Sequence, residues 1–102
     1  MGKFVKVASV KDVGPGQAIS AEAEGLQIGV FNVDGTYYAI DNTCTHAGGP
    51  LSEGFIEGGQ VECPWHGARF DIKNGQALSA PAMEGVKTYP VRVNGPDIEV
   101  EL

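Results

Sequence analysis

Long hydrophobic runs are missing from this sequence. Nothing in it approaches the roughly 18 consecutive apolar residues that a membrane-spanning helix requires. The opening residues, MGKFVKVASV, lack the sustained apolar stretch of a signal peptide. Lys6 stands where a myristoylation motif after Gly2 would need Ser or Thr. A cytoplasmic location is therefore expected. Basic residues are also scarce: 7 Lys and Arg against 13 Asp and Glu leave a formal charge of −6. Such a chain repels phosphate backbones and anionic lipid, which argues against nucleic acid and membrane surfaces as partners. The acidic excess instead favours docking to a basic patch on another protein. Cysteine is down to 2 residues in 102, and in a reducing compartment such a pair more often serves as ligands or catalysts than as a structural disulfide. There is no low-complexity tract, internal repeat or linker, and the length fits one domain spanning residues 1–102.

Glycine and proline, by contrast, are plentiful, with 15 and 6 residues. Turn signals recur at Gly14-Pro15-Gly16, Gly25, Asp34-Gly35, Gly48-Gly49-Pro50, Gly58-Gly59, Asn74-Gly75 and Asn94-Gly95-Pro96. The short stretches between them are rich in β-branched and aromatic residues, the pattern of an all-β domain. Asp34-Gly35, between LQIGVFNV and TYYAIDN, is the clearest hairpin, because both residues tolerate the positive φ of a tight turn. Alternation predicts a strand at KFVKVAS, with Phe4 and Lys6 on one face and Val5 and Val7 on the other. A second is predicted at DIEVEL, with Ile98, Val100 and Leu102 inward and Glu99 and Glu101 in water. VKTYPVRV is a third, and Pro90 inside it implies an edge strand or a bulge. Short helical turns are expected at Ser9-Val10-Lys11-Asp12 and Pro50-Leu51-Ser52-Glu53.

The only cysteines and histidines of the chain fall in one window, as Cys44-Thr45-His46 and Cys63-Pro64-Trp65-His66. Each mixed pair follows a predicted strand within a Gly- and Pro-bearing loop, so two loops can close on one site at the tip of the domain. Four such ligands admit a tetrahedral zinc site, although the familiar finger pairs Cys with Cys and His with His. They also admit a binuclear iron–sulfur cluster with two cysteines on one iron and two histidines on the other. A redox disulfide between Cys44 and Cys63 is a third option, at a spacing far longer than the usual redox motif. Two closely paired sets argue against both histidines being ordinary core residues.

The stretch CTHAGGPLSEGFIEGGQVECPWHGARFD resembles the Rieske iron–sulfur signature, Cys-x-His followed after sixteen residues by Cys-x-x-His. The resemblance extends to Thr45, Leu51, Pro64, Gly67 and the TYPVRV strand, and covers residues 3 to 102. It is nearest to the small Rieske ferredoxins of bacterial aromatic-ring dioxygenase systems. It implies small antiparallel β-sheets with two cluster-binding loops at one end, and a cluster-binding part of about residues 43–71 set in a β base. It also implies one [2Fe–2S] cluster held by Cys44 and Cys63 on the inner iron and by His46 and His66, through Nδ1, on the outer one. A further loop is implied beside them at SAPAMEG, residues 79 to 85. The implied role is that of an electron carrier rather than an enzyme. It would link a flavoprotein NAD(P)H reductase to a terminal Rieske non-haem iron oxygenase, with a monomer expected. The alternatives are the small Rieske-like subunit of an assimilatory nitrite reductase and, from another class, a zinc-stapled interaction module.

Formal charge explains the ligand choice. Two ferric irons, two sulfides and two thiolates sum to neutral, and neutral imidazoles keep the set so. Adding an electron to a neutral centre costs less than adding it to the dianion of an all-cysteine cluster, which raises the potential from about −400 mV to between roughly −150 and +300 mV. High-potential members of the family carry a disulfide between the loops, and serine and tyrosine hydroxyls aimed at the cluster sulfurs. The corresponding positions here are Gly49, Trp65, Ala68 and Phe70. With those donors gone, a potential near the low end, about −150 mV, is expected. Trp65 suits either packing or a partner surface, and packing is the expectation. Arg69 and Asp71 are expected to form a local ion pair. Asp41, Glu53, Glu57, Glu62 and Asp71 against the single Arg69 make the window acidic, as electrostatic steering to a basic partner requires.

Overall fold

Ten short strands occur among the residues that the computed structural model describes, 2–43, 49–65, 67–78 and 85–102. In chain order they are β1 (Phe4–Ser9), β2 (Ala18–Ala23), β3 (Leu26–Val33), β4 (Thr36–Asp41) and β5 (Phe55–Glu57). They continue with β6 (Gln60–Glu62), β7 (Arg69–Asp71), β8 (Thr88–Tyr89), β9 (Val91–Asn94) and β10 (Asp97–Glu101). All pair antiparallel, in the orders β1-β10-β9, β2-β3-β4-β8 and β5-β6-β7. The fold class expected from the turn spacing is the one found.

The β3–β4 hairpin turns at Asp34 (φ 53°) and Gly35 (φ 91°), both left-handed as a two-residue turn demands. Asn32 locks it: its Oδ1 accepts the Gly35 N–H at 2.8 Å, and its Nδ2 donates to the Val13 carbonyl at 2.9 Å. This buried amide therefore has partners on both ends, the condition under which a polar side chain is tolerated inside.

β3 lies between two cores. Phe31 joins Leu51, Val61 and Phe70 on one side, while Ile28 and Val30 join Ile98 and Val100 on the other. Each of these side chains is fully buried, which stabilises the fold by roughly 1.5–3 kcal/mol apiece before entropy is counted. The two cores fix the register of the four-stranded sheet, since a slip by one residue would exchange its faces.

Pro90 is the point where the chain changes sheets. β8 before it pairs with β4, and β9 after it pairs with β10. Having no N–H, proline cannot continue a ladder, but its carbonyl accepts the Glu101 N–H at 2.9 Å. β10 shows the expected inward face, with Ile98 and Val100 fully buried. Glu99 is not turned freely into water as expected: its side chain is largely covered and accepts the Arg92 Nε–H at 2.6 Å. β1 departs from the expected alternation. The register passes from Lys6–Glu99 directly to Ala8–Ile98, so Val7 is an extra residue in a bulge. A bulge reverses the facing of the residues beyond it, and Ala8 becomes the buried residue of that strand. The two helical turns are present as short 3-10 turns at Val10–Asp12 and Leu51–Glu53. Ser9 makes no side-chain cap to the first of them.

Candidate metal centre

The first Cys/His loop leaves β4 and returns at the turn Leu51–Glu53, and its base is closed by backbone. Thr43 and Pro50 form an antiparallel bridge. Asn42, buried beside them, holds the returning chain twice: its carbonyl accepts the Leu51 N–H at 2.7 Å, and its Oδ1 accepts the Ser52 N–H at 2.7 Å. Leu51, fully buried, plugs the turn into the core that also contains Cys63. Asp41, at the end of β4, accepts a 2.6 Å hydrogen bond from the Tyr89 hydroxyl. Burial, with the hydrogen bond to Asp41 and its negative charge, pushes the Tyr89 phenol well above its ordinary pKa.

The second loop is the turn of the β6–β7 hairpin. The Cys63 N–H donates to the Ala68 carbonyl at 2.7 Å, and the Gly67 N–H to the Cys63 carbonyl at 3.3 Å. Gly67 has φ 74°, which a side chain would strain. Ahead of this loop, Gly54 lies so close to β6 that a Cβ there would meet the Glu62 carbonyl oxygen at 2.1 Å. That close approach seats the hairpin on the 3-10 turn.

The two loops meet. A Cβ on Gly49, from the first, would lie 2.9 Å from Cys63 Sγ and 2.9 Å from Trp65 Cγ, both from the second. Cys63 is buried at 1% exposure, and its Sγ accepts the Trp65 backbone N–H at 3.4 Å. Trp65 is half exposed, so it both packs on Gly49 and presents surface. Ala68 and Phe70, fully buried, bring no hydroxyl to this region. Of the four expected ligands the structure thus places Cys63; Cys44, His46 and His66 lie outside the described residues. Most of the loop expected at 79–85 lies outside them too, but its base is visible. Gly75 and Gly85 pack backbone to backbone, with Cβ positions 2.2 Å from the Val86 oxygen and 2.5 Å from the Gly75 oxygen. Among the described residues no group of three or more His, Cys, Asp or Glu could hold a metal by itself.

What is described fits a cluster-bearing loop pair. The Cys63 sulfur is shielded from water, it receives a backbone N–H, and the side-chain-free Gly49 lets the Trp65 ring close in beside it. These are the hydrogen-bonding and exclusion features that tune an iron–sulfur centre.

The ion pair expected between Arg69 and Asp71 is replaced by others. Arg69 reaches across the strands to Glu62 at 3.1 Å and Glu57 at 3.9 Å. Asp71 Oδ1 instead accepts the Lys73 N–H at 2.8 Å. Cross-strand register explains this, because Glu62 stands directly opposite Arg69 and such pairs approach most closely. Glu53 and Glu57 remain exposed, so the acidic character of the surface persists.

The family model described as Rieske [2Fe–2S] domain matches residues 3–90. The ferredoxin component of the naphthalene 1,2-dioxygenase system of Pseudomonas aeruginosa is 37% identical over 100 residues, covering 98% of this chain and 96% of that protein. The 3-phenylpropionate/cinnamic acid dioxygenase ferredoxin subunit of Shigella flexneri is 44% identical over 94 residues, covering 91% and 88%. A chain from the solved complex of reduced oxygenase and oxidized ferredoxin in carbazole 1,9a-dioxygenase superposes with TM-score 0.90 at 31% identity, covering 96% and 92%.

Proposed function

Because the chain belongs to the Rieske [2Fe–2S] domain family, we propose that it is a one-electron carrier, loaded by a flavoprotein NAD(P)H reductase and unloaded by a terminal ring-hydroxylating oxygenase. The observation that carries this reading is the near full-length similarity to the ferredoxin components of dioxygenase systems, joined to loops that converge on a buried Cys63. The likeness to the carbazole dioxygenase complex supports the oxygenase as acceptor. Family membership also sets aside the zinc-stapled module.

In this reading Cys44, His46, Cys63 and His66 would hold the cluster, within a single domain whose cluster-binding part would be about residues 43–71. The bound cluster supplies the chemistry, which is to accept one electron and release it again. The chain's own residues prepare that event. The Trp65 N–H, directed at Cys63 Sγ, stabilises negative charge on the sulfur. The apolar packing of Leu51, Ala68 and Phe70 around Cys63 excludes water and fixes the loops, which limits movement on electron transfer. Without hydroxyl donors at Ala68 and Phe70 the midpoint lies near the low end of the family, about −150 mV.

The acidic window around the loops steers a basic partner face into a short-lived encounter. Among the described residues no helix is long and apolar enough to cross a membrane, and the reading places the protein in the cytoplasm as a monomer.

Stopped-flow mixing with an NADH-reduced reductase, followed by a second mixing with oxidised oxygenase, tests the proposal. Reduction and reoxidation of this chain, each faster than turnover, are expected. A chain that stays bound to one partner at fixed stoichiometry and exchanges no electrons with a free oxygenase would instead be a fixed enzyme subunit.

A further inference from the structure

Gly49 and Trp65 occupy one point beside the sulfur of Cys63. A Cβ on Gly49 would meet Sγ at 2.9 Å, and the indole at Cγ 2.9 Å and Cδ2 3.0 Å. Real side chains do not tolerate such contacts with a ring or a buried sulfur, so the indole can sit there only because residue 49 has no side chain. Trp65 is 50% exposed while Cys63 is 1% exposed. One side of the ring therefore faces water and the other faces the sulfur region. The Trp65 backbone N–H is bonded to the same sulfur, so the hydrogen bond and the ring position constrain each other.

We infer that Trp65, seated on the bare backbone of Gly49, is a positioning residue that covers the Cys63 thiolate and clasps the two cluster loops together. This rests on the electron-carrier reading above. The physical effect has a definite sign. Reduction places net negative charge on a centre that is neutral when oxidised, and water at the thiolate stabilises that charge. The indole keeps water away and so holds the midpoint down. Removing the cover raises it.

Trp65 is the only tryptophan, so its fluorescence reports the packing directly. In the purified protein, Gly49→Ala is expected to push the indole outward, with a red-shifted emission and easier quenching by acrylamide. Trp65→Ala is expected to make reduction about threefold more favourable, a rise of about 30 mV at 59 mV per tenfold. Trp65→Phe keeps a ring over Gly49 and retains the wild-type midpoint. Iron and sulfide content and circular dichroism are measured on every sample. Trp65 lies at the surface, so its variants keep the experiment decisive even where Gly49→Ala does not fold.

An unchanged midpoint in fully loaded Trp65→Ala overturns the inference, as does a Gly49→Ala protein whose indole is no more exposed. A variant that slows reaction with a partner without moving the midpoint does the same, because it makes Trp65 a contact residue. Wild-type protein lacking iron and sulfide would refute the electron-carrier reading instead, and the fluorescence comparison would still decide the packing of Trp65 on Gly49.

Discussion

Asn42→Ala is the perturbation that most sharply tests how the first loop is held. Asn42 is only 7% exposed, and its Oδ1 accepts the Ser52 N–H at 2.7 Å. Its backbone bonds, from N–H to the Gln27 carbonyl at 3.0 Å and from Leu51 N–H at 2.7 Å, survive the substitution. The loss is thus one short hydrogen bond plus a partly buried donor left without its acceptor. A typical bond contributes about 0.5–1.5 kcal/mol net, and stranding a donor costs about 1–3 kcal/mol. Ser52 is partly open to water, which favours the lower half of that range, so about 1.5–2 kcal/mol is expected. For a domain of this size that corresponds to a fall in Tm of about 6–10 °C.

The effect should also be local. Asn42 sits two residues before Cys44, so the rate of loss of visible absorbance under mild heating should rise by more than global unfolding accounts for. Urea unfolding with an unchanged m-value, alongside absorbance decay, provides the assay. A Tm within 2 °C of wild type, or cluster loss no faster than unfolding, would refute the brace.

Other expectations arise from the same geometry. Gly75→Ala drives a Cβ into the Val86 carbonyl at 2.2 Å from a left-handed backbone; a loss of about 2–4 kcal/mol is expected in chemical denaturation, since neither side is a flexible side chain. The raised pKa of Tyr89 means that the folded state keeps a proton which the unfolded chain gives up near pH 10. The associated stability is complete below pH 10 and falls as pH rises beyond it, and Tyr89→Phe should flatten the alkaline limb of a denaturation series. Raising ionic strength should slow reduction by the reductase if the acidic window steers docking, whereas a flat salt response would remove steering from the account. A redox titration should give a midpoint near about −150 mV, and a clearly positive value would contradict the reading of Ala68 and Phe70.

Much of this was legible because the informative residues act locally. Asp34-Gly35 specifies its hairpin through backbone torsions alone, and the alternation of Ile98 and Val100 needs only a strand with one buried face. Legibility fails where the outcome depends on distant chain. The bulge at Val7 is set by pairing with β10, almost a full chain length away. Pro90 was readable as a break, but its role as the crossing between two sheets required both partners, β4 and β10. Arg69 has Asp71 two residues along its own strand, yet the strand opposite supplies Glu62 and wins. At the site, the Cys and His spacing was distinctive in the sequence. The supports were not: the amide of Asn42 and the bare backbones of Gly54, Gly75 and Gly85 gain meaning only once other segments pack against them.

The electron-carrier reading stands on two cysteines and two histidines of this chain sharing one [2Fe–2S] cluster. Low-temperature EPR of anaerobically purified protein, before and after dithionite, tests it most directly. The expected protein is silent when oxidised and gives, on reduction, a rhombic signal whose average g lies below that of all-cysteine clusters. A plant-type signal on reduction, or a colourless protein that carries zinc and stays silent in both states, would contradict it.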